Sequence, residues 1–152
     1  MKRKVLGICL LAIPLVCLVL ELLPFGTAAV YAHPLAEGGI ERVRELYSYF
    51  RYALGGLGFS SGSFGPVFVP VFTVPLLLFA LRYFFTGRGR AGVVACAALG
   101  LAAAVSPLFV AWYMGWELFS TATPVTLALA ALLAAEGVIA LMIEPLQKIR
   151  KK

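Results

Sequence analysis

The sequence predicts an all-α integral membrane protein: an antiparallel four-helix transmembrane bundle with an outer interfacial amphipathic helix. Three observations predict it. Hydrophobic residues make up 62% of 152 positions and the mean hydropathy is +0.97, whereas soluble proteins use roughly 45–50% apolar residues. A water-soluble fold of this size could not hide so much apolar surface, because small domains leave much of their area exposed. The apolar residues also collect into four runs, at about 5–23, 66–85, 91–114 and 124–143, each near the roughly 20 residues that cross a bilayer as helix. Finally, charged residues are only 13% of the chain and sit mainly between the runs. The chain reads as one membrane domain over 1–152, with an outer loop at 24–65 and a cytoplasmic tail at 144–152.

The first run follows a Met-Lys-Arg-Lys start. Its basic beginning and the small residues at Val30-Tyr31-Ala32 also fit a cleavable signal peptide. Pro34 just beyond that point and the near-spanning length favour a retained anchor. The second run carries Pro66, Pro70 and Pro75. Proline costs about 3 kcal/mol inside a soluble helix, but in a membrane span neighbouring helices satisfy the freed carbonyls, so a kinked helix is expected. Thr86-Gly87-Arg88-Gly89-Arg90 is a very short connection and forces the next helix to return antiparallel. In the third run Gly92, Cys96, Gly100 and Ala104 recur every four positions. Such small-xxx-small spacing makes a helix-packing face on which two backbones approach closely; the neighbour can belong to this chain or to another. The fourth run continues unbroken into the basic tail.

Orientation follows from the basic residues. Placing the N-terminus inside puts ten of the thirteen Lys/Arg in the cytoplasm, and leaves only Arg42, Arg44 and Arg51 outside, as the positive-inside rule requires. Trp112, Tyr113, Trp116 and Phe119 gather at one end of the spans and Tyr83, Phe84 and Phe85 at the other, as interfacial aromatic belts do. The expected location is a bacterial plasma membrane, multi-pass, with N- and C-termini cytoplasmic and the lipid bilayer as the first partner.

Within the outer loop, Ile40, Val43, Tyr47, Phe50 and Leu54 recur at helical spacing after Gly38-Gly39. This predicts an amphipathic helix over about 40–54 lying on the outer surface and stopping at Gly55-Gly56. The following GGLGFSSGSFG segment is glycine-rich, but no lysine and no strand–helix frame make it a phosphate loop. It reads as a flexible return to the second run.

Glu136 is the sharpest chemical feature. It lies about 12 residues into the fourth run, on the order of 18 Å deep at 1.5 Å per residue. Carboxylates at that depth face a bundle interior, pair with a cation or mark an ion pathway. Arg82, near the cytoplasmic end of the second run, is the candidate partner. Leu129, Leu132, Leu133, Ile139, Ala140 and Ile143 share the Glu136 face, while the small face is Ala128, Ala131 and Ala135. Whether Glu136 meets protein or lipid stays open at this level. Glu21 and Glu144 sit at run ends, where interfacial charge is the default reading, and His33 is a lone histidine on the outer loop. Cys9, Cys17 and Cys96 fall inside apolar runs without a CxxC pattern, so no disulfide framework and no metal site is expected. No aspartate exists and no nucleophile–base pair can be assembled. Catalytic residues and cofactors are expected to be none. The net charge of +6 is spent at run ends, not on a stacking platform, which argues against nucleic acid.

Glu21-Leu22-Leu23-Pro24-Phe25-Gly26, Tyr47-Ser48-Tyr49-Phe50 and the Gly65-Pro66 start of the second run resemble small uncharacterised four-span membrane proteins of Gram-positive bacteria. The resemblance covers most of the chain and implies a bacterial plasma membrane without a known activity. The leading expectation is a non-enzymatic small membrane protein, an accessory or interaction subunit packing as a homo-oligomer or with a larger membrane partner. Its contact surfaces would be the Gly92/Cys96/Gly100/Ala104 face and the aromatic outer loop. The alternative is a small oligomeric transporter or channel in which Glu136 couples to protons or cations.

Overall fold

A computed structural model of the chain describes residues 2–36, 38–55, 64–114 and 123–149. Four long helices carry the fold: α1 (Lys2–Leu22), α3 (Gly65–Thr86), α4 (Arg90–Met114) and α5 (Thr123–Ile149). Between α1 and α3 stand β1 (Thr27–Leu35), β2 (Gly39–Tyr47) and a six-residue α2 (Tyr49–Leu54). All four long helices are long and apolar enough to cross a membrane. They pack as a ring in chain order, α1 on α3, α3 on α4, α4 on α5 and α5 back on α1. That is the arrangement short antiparallel connections produce in an up-and-down bundle.

One seam of buried residues in each helix explains the ring. In α1 it is Gly7, Leu10, Pro14, Cys17 and Glu21. In α3 it is Pro66, Val69, Thr73, Leu76, Ala80 and Tyr83, and in α5 Thr126, Leu129, Leu133, Glu136, Ala140 and Ile143. The steps alternate between three and four residues, the 3.5-residue period that keeps a helix facing its neighbours along a bundle. The outward surface is apolar as well: Leu78 is 61% exposed, Phe109 67% and Met142 59%. Aliphatic and aromatic groups outside, with carboxyls inside, is the distribution a hydrocarbon solvent selects.

The prolines are accommodated. Pro66 sits in the first turn of α3, where its missing N–H has no intrahelical partner to lose, and α3 continues through Pro70 and Pro75. α3 ends at Gly87, whose φ of 68° is left-handed and whose N–H closes on the Tyr83 carbonyl at 2.8 Å. Only glycine adopts this cap without a Cβ clash.

The segment between α1 and α3 differs from the outer amphipathic helix expected over about 40–54. Residues 27–47 form an antiparallel hairpin, with Thr27 paired to Tyr47 and Leu35 to Gly39, and only Tyr49–Leu54 is helical. The two glycines read as a helix start instead close the turn: Gly38 takes φ 79° and its N–H bonds the Leu35 carbonyl at 3.1 Å. A left-handed glycine ending a three-residue loop is a common hairpin closure. Once the chain reverses there, Thr27, Val30 and Tyr31 in β1 supply the β-branched and aromatic residues that favour a strand partner. The helical spacing from Ile40 to Leu54 is therefore divided between two elements. Ser48 starts the second by accepting from the Arg51 N–H at 3.1 Å. Tyr47 packs edge-on against Tyr52, with ring centroids 6.4 Å apart, and carries the Arg51 guanidinium 5.3 Å over its ring. The glycine-rich segment at 56–63, Trp116 and Phe119 lie outside the described residues.

Candidate functional site

The seams of α1 and α5 place two carboxyl groups inside the bundle. Glu21 and Glu136 both have no exposed surface, and none of their four oxygens has a hydrogen-bond partner among the described residues. Glu136 therefore faces protein. The small residues Ala131 and Ala135 turn outward instead. Glu21, expected at a headgroup-exposed end, is enclosed because it continues the Leu10–Pro14–Cys17 seam by one further turn, and because α2 lies over that end of the bundle against α1 and α3.

Polar groups from four elements line the space between these carboxyls and the hairpin end. The Tyr49 ring of α2 is buried against Gly26, where an added Cβ would come within 3.0 Å of its Cδ2. Its hydroxyl meets the Thr126 hydroxyl of α5 at 2.7 Å. Glu21 lies within electrostatic reach of Tyr49. The Thr73 hydroxyl of α3 stands beside Glu21, but it donates to the Val69 carbonyl at 3.0 Å, so both Glu21 oxygens are left without a hydrogen bond. Cys17, one turn along α1 from Glu21, lies within electrostatic reach of both Glu21 and Glu136. The order is a column: Tyr49 and Thr126, then Glu21 with Thr73, then Cys17, then Glu136. Tyr49 stands outside the spans, where burial pushes its phenol up to about 12; the Glu21 charge adds to this and the Thr126 bond opposes it.

Arg82, the candidate partner of Glu136, is exposed, and among the described residues no partner meets the Glu136 oxygens. Arg90 of α4 reaches α5 instead: its Nε donates to the Ala140 carbonyl at 2.7 Å and its Nη2 donates to the Leu141 carbonyl at 3.2 Å. The sequence explains this choice. The carbonyl of Leu141 would normally accept from residue 145, which is proline and has no N–H. Arg90 supplies that missing donor, one helical turn from Glu136.

The Gly92/Cys96/Gly100/Ala104 face of α4 is occupied within the chain. A Cβ on Gly92 would lie 2.6 Å from Phe79 Cγ, and one on Gly100 would lie 3.3 Å from the Leu133 methyls. Cys96 and Ala104 are buried. Through these contacts the face joins α4 to α3 and α5 within the chain. His33 is exposed on β1, and Cys9, Cys17 and Cys96 are free thiols. Among the described residues no group of three or more His, Cys, Asp or Glu stands together in a metal-binding arrangement.

Sequence reasoning singles out Glu136 and names Thr73, Ser106 and Thr126 as the polar groups of the spans, but it reads Glu21 as interfacial and does not bring Cys17 or Tyr49 to the same place. The available signal was the 3-4 step itself, which assigns Glu21 and Thr126 to the same kind of seam as Glu136. Compared with known proteins, the chain matches no family model, no curated sequence and no solved structure.

Proposed function

We propose that this chain is a small proton- or cation-coupled transporter of a bacterial plasma membrane, with both termini cytoplasmic and Glu21 and Glu136 as its coupling groups. One observation carries the reading: two fully buried carboxyl groups, on facing helices, without a hydrogen-bond partner among the described residues. An ionised carboxylate in such surroundings is strongly disfavoured unless a proton or cation neutralises it. Groups with that property exchange charge with their surroundings when the bundle opens toward one side or the other. A buried carboxyl retained only for packing has no such advantage over leucine. Thr73, Cys17, Tyr49 and Thr126 add the further polar groups a relay needs.

An accessory subunit would meet its partner through the Gly92/Cys96/Gly100/Ala104 face and the aromatic loop between α1 and α3. With that face filled by Phe79, Phe72 and Leu133, the buried carboxyls favour transport.

The test is reconstitution of the full chain into liposomes enclosing a pH-sensitive dye, followed by an imposed proton or potassium gradient. Wild-type protein should dissipate the gradient faster than protein-free vesicles, and Glu136→Gln and Glu21→Gln should each abolish the difference while leaving the helical circular dichroism intact. Flux that is the same in wild type and both variants would overturn the assignment.

A further inference from the structure

We propose that the groove between α3, α4 and α5, at the end of the bundle bearing Arg82, Arg88 and Arg90, binds one anionic phospholipid: its phosphate lies against Arg90 and Tyr83, and an acyl chain along Val94, Leu141 and Ile143. The groove is open to the surface and has a volume of about 610 Å³, within the roughly 300–1,000 Å³ typical of small-molecule sites.

Its chemistry is one-sided. Among the described residues that line it, the polar side chains are Tyr83 and Arg90, both hydrogen-bond donors, and no carboxylate contributes. The Arg90 guanidinium is fixed at the groove by the Ala140 and Leu141 carbonyls. Tyr83 is only 4% exposed, and its hydroxyl finds no acceptor among the described residues. Buried polar groups are almost always satisfied, and an acceptor oxygen of a bound ligand suits this hydroxyl. Ala91 belongs to the first turn of α4, where backbone N–H groups also favour an anion. A ligand that suits this end carries acceptor oxygens and negative charge.

The remainder of the groove is aliphatic, and Leu141 is 53% exposed on the outward face. The groove thus opens sideways onto the apolar surface and not only toward water. A free anion would leave that wall uncovered, whereas an acyl chain covers it. Arg88, next in sequence to the groove-lining Gly87, is exposed and adds to the attraction for anionic headgroups.

The experiment is native mass spectrometry of the purified full chain, titrated separately with phosphatidylglycerol, phosphatidylcholine and inorganic phosphate. Wild type should retain one phosphatidylglycerol several-fold more tightly than phosphatidylcholine, and inorganic phosphate should not displace it. Arg90→Gln should remove the preference and Arg90→Lys should restore part of it. Tyr83→Phe should weaken retention several-fold without lowering the unfolding temperature of the lipid-free protein, a combination that a packing role would not give. Because Arg90 also ties α4 to α5, the wild-type preference and the Tyr83→Phe result decide the matter if Arg90→Gln fails to fold. Equal retention of the two lipids, displacement by phosphate, or unchanged retention in Tyr83→Phe would overturn the proposal.

Discussion

The hydroxyls of Tyr49 and Thr126 meet at 2.7 Å, joining the short helix outside the spans to the buried seam of α5. This is the bond that fixes α2 over the Glu21 end of the bundle. Thr126→Val leaves the Tyr49 hydroxyl enclosed without its partner, and should cost about 1–3 kcal/mol in a detergent unfolding measurement. The double variant Tyr49→Phe/Thr126→Val removes both polar groups and should recover much of that loss.

Alkaline pH should act through the same residue. An unfolded tyrosine ionises near 10, while burial raises the folded Tyr49 to about 12. The unfolded state therefore loses its proton first. The stability contributed by the neutral phenol is complete below about pH 10 and declines as pH rises through the folded value of about 12. Tyr49→Phe should flatten this decline in a series of thermal melts. An identical alkaline slope in the variant would mean that Tyr49 is not enclosed.

Two glycines on the helices should respond in opposite directions to one methyl group. Gly92→Ala drives a Cβ into Phe79 near its Cγ, and should destabilise by about 1–3 kcal/mol. At Gly137 the nearest atom to an added Cβ is Ala97 Cβ at 3.7 Å, an ordinary contact, so Gly137→Ala should be neutral or stabilise by up to about 1 kcal/mol through helix propensity. Equal responses at the two positions would contradict the packing of α4 against α3.

Replacing either buried carboxyl with leucine should separate function from stability. Exchanging an unsatisfied buried ionisable group for a well-packed aliphatic one is often neutral or stabilising by about 1–4 kcal/mol. Glu136→Leu and Glu21→Leu are therefore expected to hold or raise the unfolding temperature while abolishing flux. A marked drop in stability would mark the carboxyls as structural.

The four helices were legible because lipid imposes a length and a composition, and the runs at 66–85 and 91–114 differ from α3 and α4 by a residue at each end or less. The hairpin was not legible from periodicity. Ile40, Val43 and Tyr47 fit a helix locally, and only pairing with β1 across Gly38 turns them into a strand. Glu136 stood out because it interrupts an apolar run. Glu21 did not, since a charge at a run end is ordinarily solvated, and its enclosure depends on α2 folding over it. The Arg90 contact depends on Pro145, more than fifty residues away in sequence, and no local pattern announces it. Arg82 was the natural alternative by depth alone, but depth does not fix the direction of a side chain.

The most direct test of the central claim is an infrared titration of the carboxyl C=O stretch in reconstituted protein, from about pH 4 to about pH 10, a range wide enough to take free carboxyls and strongly perturbed ones alike. The account predicts two titrating bands characteristic of carboxylic acids shielded from water, one lost in Glu21→Gln and the other in Glu136→Gln. If neither substitution removes a shielded band, the two carboxyls are hydrated, and the buried column does not exist in the membrane.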